Sequence, residues 1–169
     1  LHPMALGSPF FSKLPLADYG LEYLFSPLAA AHPFDDGTAA FLSRSLEETA
    51  AALGVDAPVY RSLIKPVADH WEAIAADSLG PFSFPSHPLI MARFGLNALR
   101  SASAIANRFS TPAAKGLWAG MAAHSIQPLT NVASAAIGMV LSAVGHRYGW
   151  PVPKGGSQAI GHALAGYFI

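Results

Sequence analysis

Residues 132–145 form a run of 14 without a charged side chain, and this run limits what the chain can become. A helix crossing a membrane needs about 20 apolar residues, so the run predicts a helix buried inside protein. Ser134, Gly138 and Ser142 recur every four residues along it. That spacing puts small side chains on one helix face, where another backbone can approach closely. The fold must surround this helix.

The sequence supplies the surroundings as further helices. Ser45 and Glu48 have capping-box spacing, and Gly54 is a plausible stop. A second helix is predicted over 56–79. Tyr60, Leu63, Val67, Trp71, Ile74 and Ser78 share one face of it, and Pro66 predicts a kink or interruption. A third is predicted over 88–108, with Arg93, Asn97, Arg100 and Asn107 along its polar side. A fourth opens at Thr111 and Pro112, since proline fits a first turn. A final helix starts after Ser157, a predicted cap, and carries Ile160, Leu164 and Phe168 at helical spacing. Its pattern runs to the last residue, and the chain starts at Leu1. Both ends predict a piece of a larger protein.

Residues 1–44 read as strands and loops. Strands are predicted over 21–25 and 38–42, with Asp36 and Gly37 as the turn signal between them. The expected fold class is α+β: a small antiparallel sheet near the N-terminus, then a predominantly helical part over 45–169. A length of 169 residues suits one domain.

Charge is sparse. Charged residues make up 12% of the chain, against about 25% in an average soluble domain, and mean hydropathy is +0.36. Such a chain exposes apolar surface that a partner, a membrane surface or a ligand would cover, and it is expected to self-associate. All ten acids lie at or before Asp77; six basic residues and no acid follow Ser78. Two readings stay open. The two parts neutralise each other, or the basic part faces an anion. Nucleic acid is not expected, because the basic residues are few and lack interleaved aromatics.

Several chemistries are excluded. Without cysteine there is no disulfide, no thiolate metal site and no cysteine nucleophile. With no signal peptide expected either, this fits a cytoplasmic protein. The third helix keeps a membrane-peripheral placement open. There is no G-x-S-x-G, H-E-x-x-H or G-x-G-x-x-G motif, and Lys154 precedes Gly155 and Gly156, the wrong order for a phosphate-binding loop. Seven histidines (His2, His32, His70, His87, His124, His146 and His162) include no pair at helical spacing, so no metal site is expected. His32, Asp35 and Asp36 read as a polar turn. His124 ends an apolar helix, either bonded locally or facing a pocket. In residues 149–157 two prolines stiffen the approach to Gly155 and Gly156, which leave a side-chain-free turn at a helix start.

Four segments, in order, resemble the middle of the phytoene-desaturase-like FAD-dependent oxidoreductases. They are Ser8-Pro-Phe-Phe11, Ala31-His-Pro-Phe-Asp-Asp-Gly37, Ala123-His-Ser-Ile-Gln-Pro-Leu129 and Gly149-Trp-Pro-Val-Pro-Lys-Gly-Gly-Ser157. The resemblance implies the substrate-side portion of such an enzyme, oxidising or isomerising an apolar small molecule by hydride transfer to flavin. It implies FAD held in the full-length parent by a separate FAD-binding domain, with this chain inactive and flavin-free alone. It places Gly155 and Gly156 at the flavin edge, and His124, Trp150 and Pro151 in the substrate pocket. It nominates no catalytic acid or base. The residues by themselves leave a second reading: a non-enzymatic helical module that binds an apolar ligand or docks a protein partner.

Overall fold

The fold is that of a computed structural model, which describes residues 3–8, 10–81 and 83–169. His2 of the histidines and Pro9 of the first segment named above lie outside the described residues. The elements are α1 (Pro3–Leu6), β1 (Tyr23–Phe25), β2 (Leu28–Pro33), β3 (Ala39–Ser43), α2 (Leu46–Ala52), α3 (Ala57–Asp69), α4 (Trp71–Leu79), α5 (Pro88–Ala98), α6 (Ala102–Ala106), α7 (Pro112–Ala123), α8 (Ser134–Tyr148), β4 (Pro151–Pro153) and α9 (Gln158–Phe168). The class is α+β, as the pattern predicts.

Strand pairing differs from the expectation. The turn at Asp36 and Gly37 is real: Thr38 donates from its amide and hydroxyl to Asp36 Oδ1 at 2.9 and 2.6 Å, and Gly37 has φ +82°. So tight a turn pairs β3 with the segment just before it. That segment is β2, antiparallel, with Ala31 opposite Phe41. β1 instead pairs with β4, far along the chain, with Tyr23 opposite Pro153. Two prolines are tolerated in β4 because a two-stranded ribbon leaves half its backbone groups unpaired.

The helix breaks also move. α3 runs through Pro66, held by buried Leu63, Ile64 and Val67 on its inner face. It ends at His70 (φ −114°, ψ 21°), where α4 begins. The predicted third helix divides at Leu99. Ser101 caps α6 through the amide of Ala104, and the freed carbonyls of Leu99 and Arg100 accept from the amides of Ala133 and Ala135. The cap at Thr111 is as predicted. The capping box at Ser45 is indirect: Ser45 accepts from the Glu48 amide, while Glu48 reaches the hydroxyl of Ser43 at 2.5 Å. Ser157, predicted as a cap, makes no capping bond to α9.

α8 is the centre. It begins at Ser134 after Ala133, which has φ +64°, and stops at Gly149, whose φ is +81°. Ser134, Gly138 and Ser142 are all buried. A Cβ at Gly138 would lie 3.2 Å from Ala122 and Trp118 of α7, so that helix sits as close as the small-residue stripe requires. α9 packs elsewhere, closing a small cluster with Leu16 and Leu21.

Ion pairs join the acidic and basic parts of the sequence: Arg147 with Glu72 and Lys154 with Glu22. A buried carboxylate joins them more firmly. Asp56, only 1% exposed, accepts from the amides of Ser110 and Thr111 and from the Thr111 hydroxyl at 2.6–2.8 Å. Burial pushes its carboxyl up, but these bonds outweigh burial and hold it below the usual aspartate value.

Replacing Asp56 with alanine leaves two amides and a hydroxyl at the start of α7 unpaired. Asp56→Ala should lose about 3 kcal/mol of stability in urea denaturation. The carboxylate's contribution should be complete above the unfolded aspartate value near 4 and fade as pH falls through the lower folded value. Asp56→Ala should flatten that part of the acid unfolding profile.

Candidate functional site: a cleft between α3 and α5

Helices α3 and α5 do not close against each other along their whole length. A cleft of about 200 Å³ remains between them, at the break between α3 and α4. Leu63 and Val67 of α3, Ile74 of α4 and Met139 of α8 form a floor, each buried to 2% exposure or less. Leu89, Ile90 and Phe94 of α5 form one wall. Pro66 and the break residue His70 form the other. The helix pattern explains the apolar floor, because the inward face of α3 turns toward it.

The mouth is polar. Ser62, Asn97 and Arg93 stand at its edge, and a shallower groove runs outward over Pro58, Arg61, Lys65 and Asp69. Most of these charges are committed. Lys65 pairs with Asp69 at 2.7 Å, and Arg61 with Glu47 at 2.7 Å. Asn97 accepts from Arg108 at 3.1 Å. The Arg93 side chain makes no hydrogen bond or ion pair to any described residue.

The residues singled out from the sequence lie elsewhere. His124 is exposed at the end of α7; its Nδ1 donates to the carbonyl of Gly120 at 3.1 Å. Its ring meets Trp150 edge-on, with centroids 5.8 Å apart. Trp150 is 6% exposed, lies over Gly145 and donates from Nε1 to the carbonyl of Leu141 at 3.4 Å. Pro151 is buried at the start of β4. His124 and Trp150 are therefore neighbours, but Trp150 and Pro151 face the core. Gly155 and Gly156 form an exposed turn with φ +81° and +95°, and no atom lies within 4 Å of where a Cβ would stand. None of the five lines the cleft. The sequence did offer a signal for it: the polar stripe of the third predicted helix contains Arg93 and Asn97, and the inner face of the second contains Leu63, Val67 and Ile74.

His32 has a packing role. Its ring occupies the space a Cβ on Gly120 would need, and Phe34 does the same at Gly116. Among the described residues no three His, Asp or Glu side chains are grouped to hold a metal ion. Among them, too, no helix is long and apolar enough to cross a membrane. Comparison with known proteins gives no matching family model, no matching curated protein and no matching solved structure.

One further pair of titratable groups is close. The Tyr60 hydroxyl lies 2.7 Å from His146 Nε2, and Nδ1 of the same ring lies 3.3 Å from the carbonyl of Arg44. A carbonyl can only accept, so Nδ1 carries the proton and Nε2 accepts from the phenol. Burial lowers the His146 value to about 4, despite the backbone carbonyls beside it. Burial raises the Tyr60 phenol. At neutral pH the pair is uncharged, and it ties α3 to α8 and to the end of β3.

Because folding holds His146 neutral, the unfolded chain binds a proton first as the medium is acidified. Stability contributed by this residue is complete above the unfolded histidine value near 6.5 and is lost as pH falls toward about 4. Urea midpoints between pH 7 and 5 should decline. His146→Gln, which cannot titrate, should reduce that decline, and the His146 ring resonances should show no protonation down to pH 5.

Proposed function

We propose that the chain is a ligand-binding segment for an apolar small molecule, on the substrate side of a flavin-dependent oxidoreductase of the kind its sequence resembles. The observation that carries the reading is the cleft between α3 and α5, with its buried apolar floor and polar edge. The described strands form only two antiparallel ribbons. Open α/β sheets bind dinucleotides at the carboxyl ends of parallel strands, which these ribbons lack. FAD would then be held by a separate domain. The exposed turn at Gly155 and Gly156 has room for the edge of a planar ring, and His124 stands at a different surface, beside Trp150.

A second reading rests on the outside of α5. Leu96 and Leu99 are 66–70% exposed beside Arg100, and Phe84 just before the helix is 85% exposed. That surface suits a non-enzymatic docking role toward a protein partner, a second copy or a membrane surface.

Titration of the chain with octan-1-ol, followed by calorimetry and by methyl resonances, tests the first reading. Binding on the order of a millimolar or tighter is expected for so small a ligand. Shifts should concentrate at Ile74, Ile90 and Met139, and Ser62→Trp at the mouth should block them. Added FAD should keep its free absorbance and fluorescence. No octanol binding, with sedimentation showing a discrete dimer, would favour the docking reading. A stoichiometric yellow complex with FAD would overturn the assignment of flavin to another domain.

A further inference from the structure

We infer that the cleft takes an amphiphile with one anionic group, its short apolar chain on the floor and its head beside Arg93. This rests on the cleft being a ligand site and adds the ligand's chemistry. The volume sets the length of the tail. A cleft of about 200 Å³ has room for a short alkyl chain. The floor of Leu63, Val67, Ile74 and Met139 offers such a tail no polar partner.

The mouth sets the sign of the head. Arg61, Lys65 and Arg93 bring three cations to the cleft and its outer groove, against one carboxylate, Asp69. Lys65 holds Asp69 through both carboxylate oxygens, at 3.0 and 2.7 Å, and Glu47 occupies Arg61. Of these three, the Arg93 side chain alone is bonded to no described residue, and it lines both the cleft and the groove. A guanidinium presents paired N–H donors that fit a carboxylate or a phosphate, whereas a neutral alcohol would leave it unpaired and an ammonium would be repelled.

The test compares four eight-carbon probes on the intact chain: octanoate, octyl phosphate, octan-1-ol and octylammonium. Calorimetry gives affinity, and the methyl resonances of Ile74, Ile90 and Met139 give location. One or both anions should bind about five- to tenfold more tightly than the alcohol, as a single exposed charge-assisted contact allows, and octylammonium should bind most weakly. The preference should shrink with added salt. Arg93→Gln should bring the anions to the level of the alcohol and leave alcohol binding unchanged. Arg93 is exposed, so the variant should fold. Arg100→Gln removes a neighbouring exposed charge that does not line the cleft, and it should keep the preference. Whichever anion binds better identifies carboxylate or phosphate as the head. Alcohol binding equal to anion binding would overturn the inference and leave the apolar cleft standing. An anion preference that survives Arg93→Gln would overturn the role of Arg93. No binding by any probe would overturn the cleft as a ligand site altogether.

Discussion

The close approach of α7 to α8 is the contact on which the rest of the structure depends. A helix of ordinary side chains keeps neighbours about 8–10 Å away. Here Gly138 lets Ala122 and Trp118 come within ordinary contact of the α8 backbone. Once α7 is that close, its outer face carries Gly116 and Gly120, and Phe34 and His32 from the hairpin settle on them. At the far end, Gly145 gives the same room to Trp150, which positions β4 and through it β1. Small residues on two helices thus place both ribbons. Filling any of these sites would force backbone apart in a core that tolerates little extra volume.

Polar groups complete what packing begins. Ser134 accepts from the amide of Ala102 at 2.8 Å and donates toward the carbonyls of Leu129 and Asn131. Trp118 donates to the carbonyl of Ala102 at 2.8 Å. Both anchor α6, which has only five residues and would not persist alone. Asp56 does the same for the start of α7. These bonds matter because the chain carries few charges. With so little surface electrostatics available, buried hydrogen bonds to caps and breaks specify which helix ends meet.

Much of this was legible in the sequence, and the failures have physical causes. The buried face of α3 and α4 follows from periodicity: Tyr60, Leu63, Val67, Trp71 and Ile74 are in the core, whereas Ser78, the last residue of that face, is exposed near the end of α4. The caps at Ser45 and Thr111 follow from local side-chain chemistry. β2 did not show itself because three alanines in Leu28–Pro33 give no alternation to detect. The break at Leu99 depends on carbonyls finding Ala133 and Ala135, more than thirty residues away, which no local pattern encodes. Pro66 misled for a related reason: it removes one hydrogen bond, and the burial of three neighbours outweighs that loss. For the site, the sequence pointed to the glycine turn and Trp150. It could not show that Trp150 faces inward, because only the partner, Gly145, makes that possible.

The cleft follows from the same constraints. α8 holds α3 and α5 at positions set by its own side chains, and Met139, facing both, is too slender to fill the space between them. The chain breaks at His70, which lines the cleft, and α4 adds Ile74 to its floor. A well-packed interior has few voids larger than a water molecule. An apolar tail laid on this floor would gain burial worth roughly 25 cal/mol for each Å² of its own surface taken out of water. A cleft with an apolar floor, and an arginine at its rim whose side chain bonds no described residue, leaves two kinds of interaction available at one place. One ligand with a short apolar tail and a negative head would make both, and that coincidence is the physical ground for reading the cleft as a binding site.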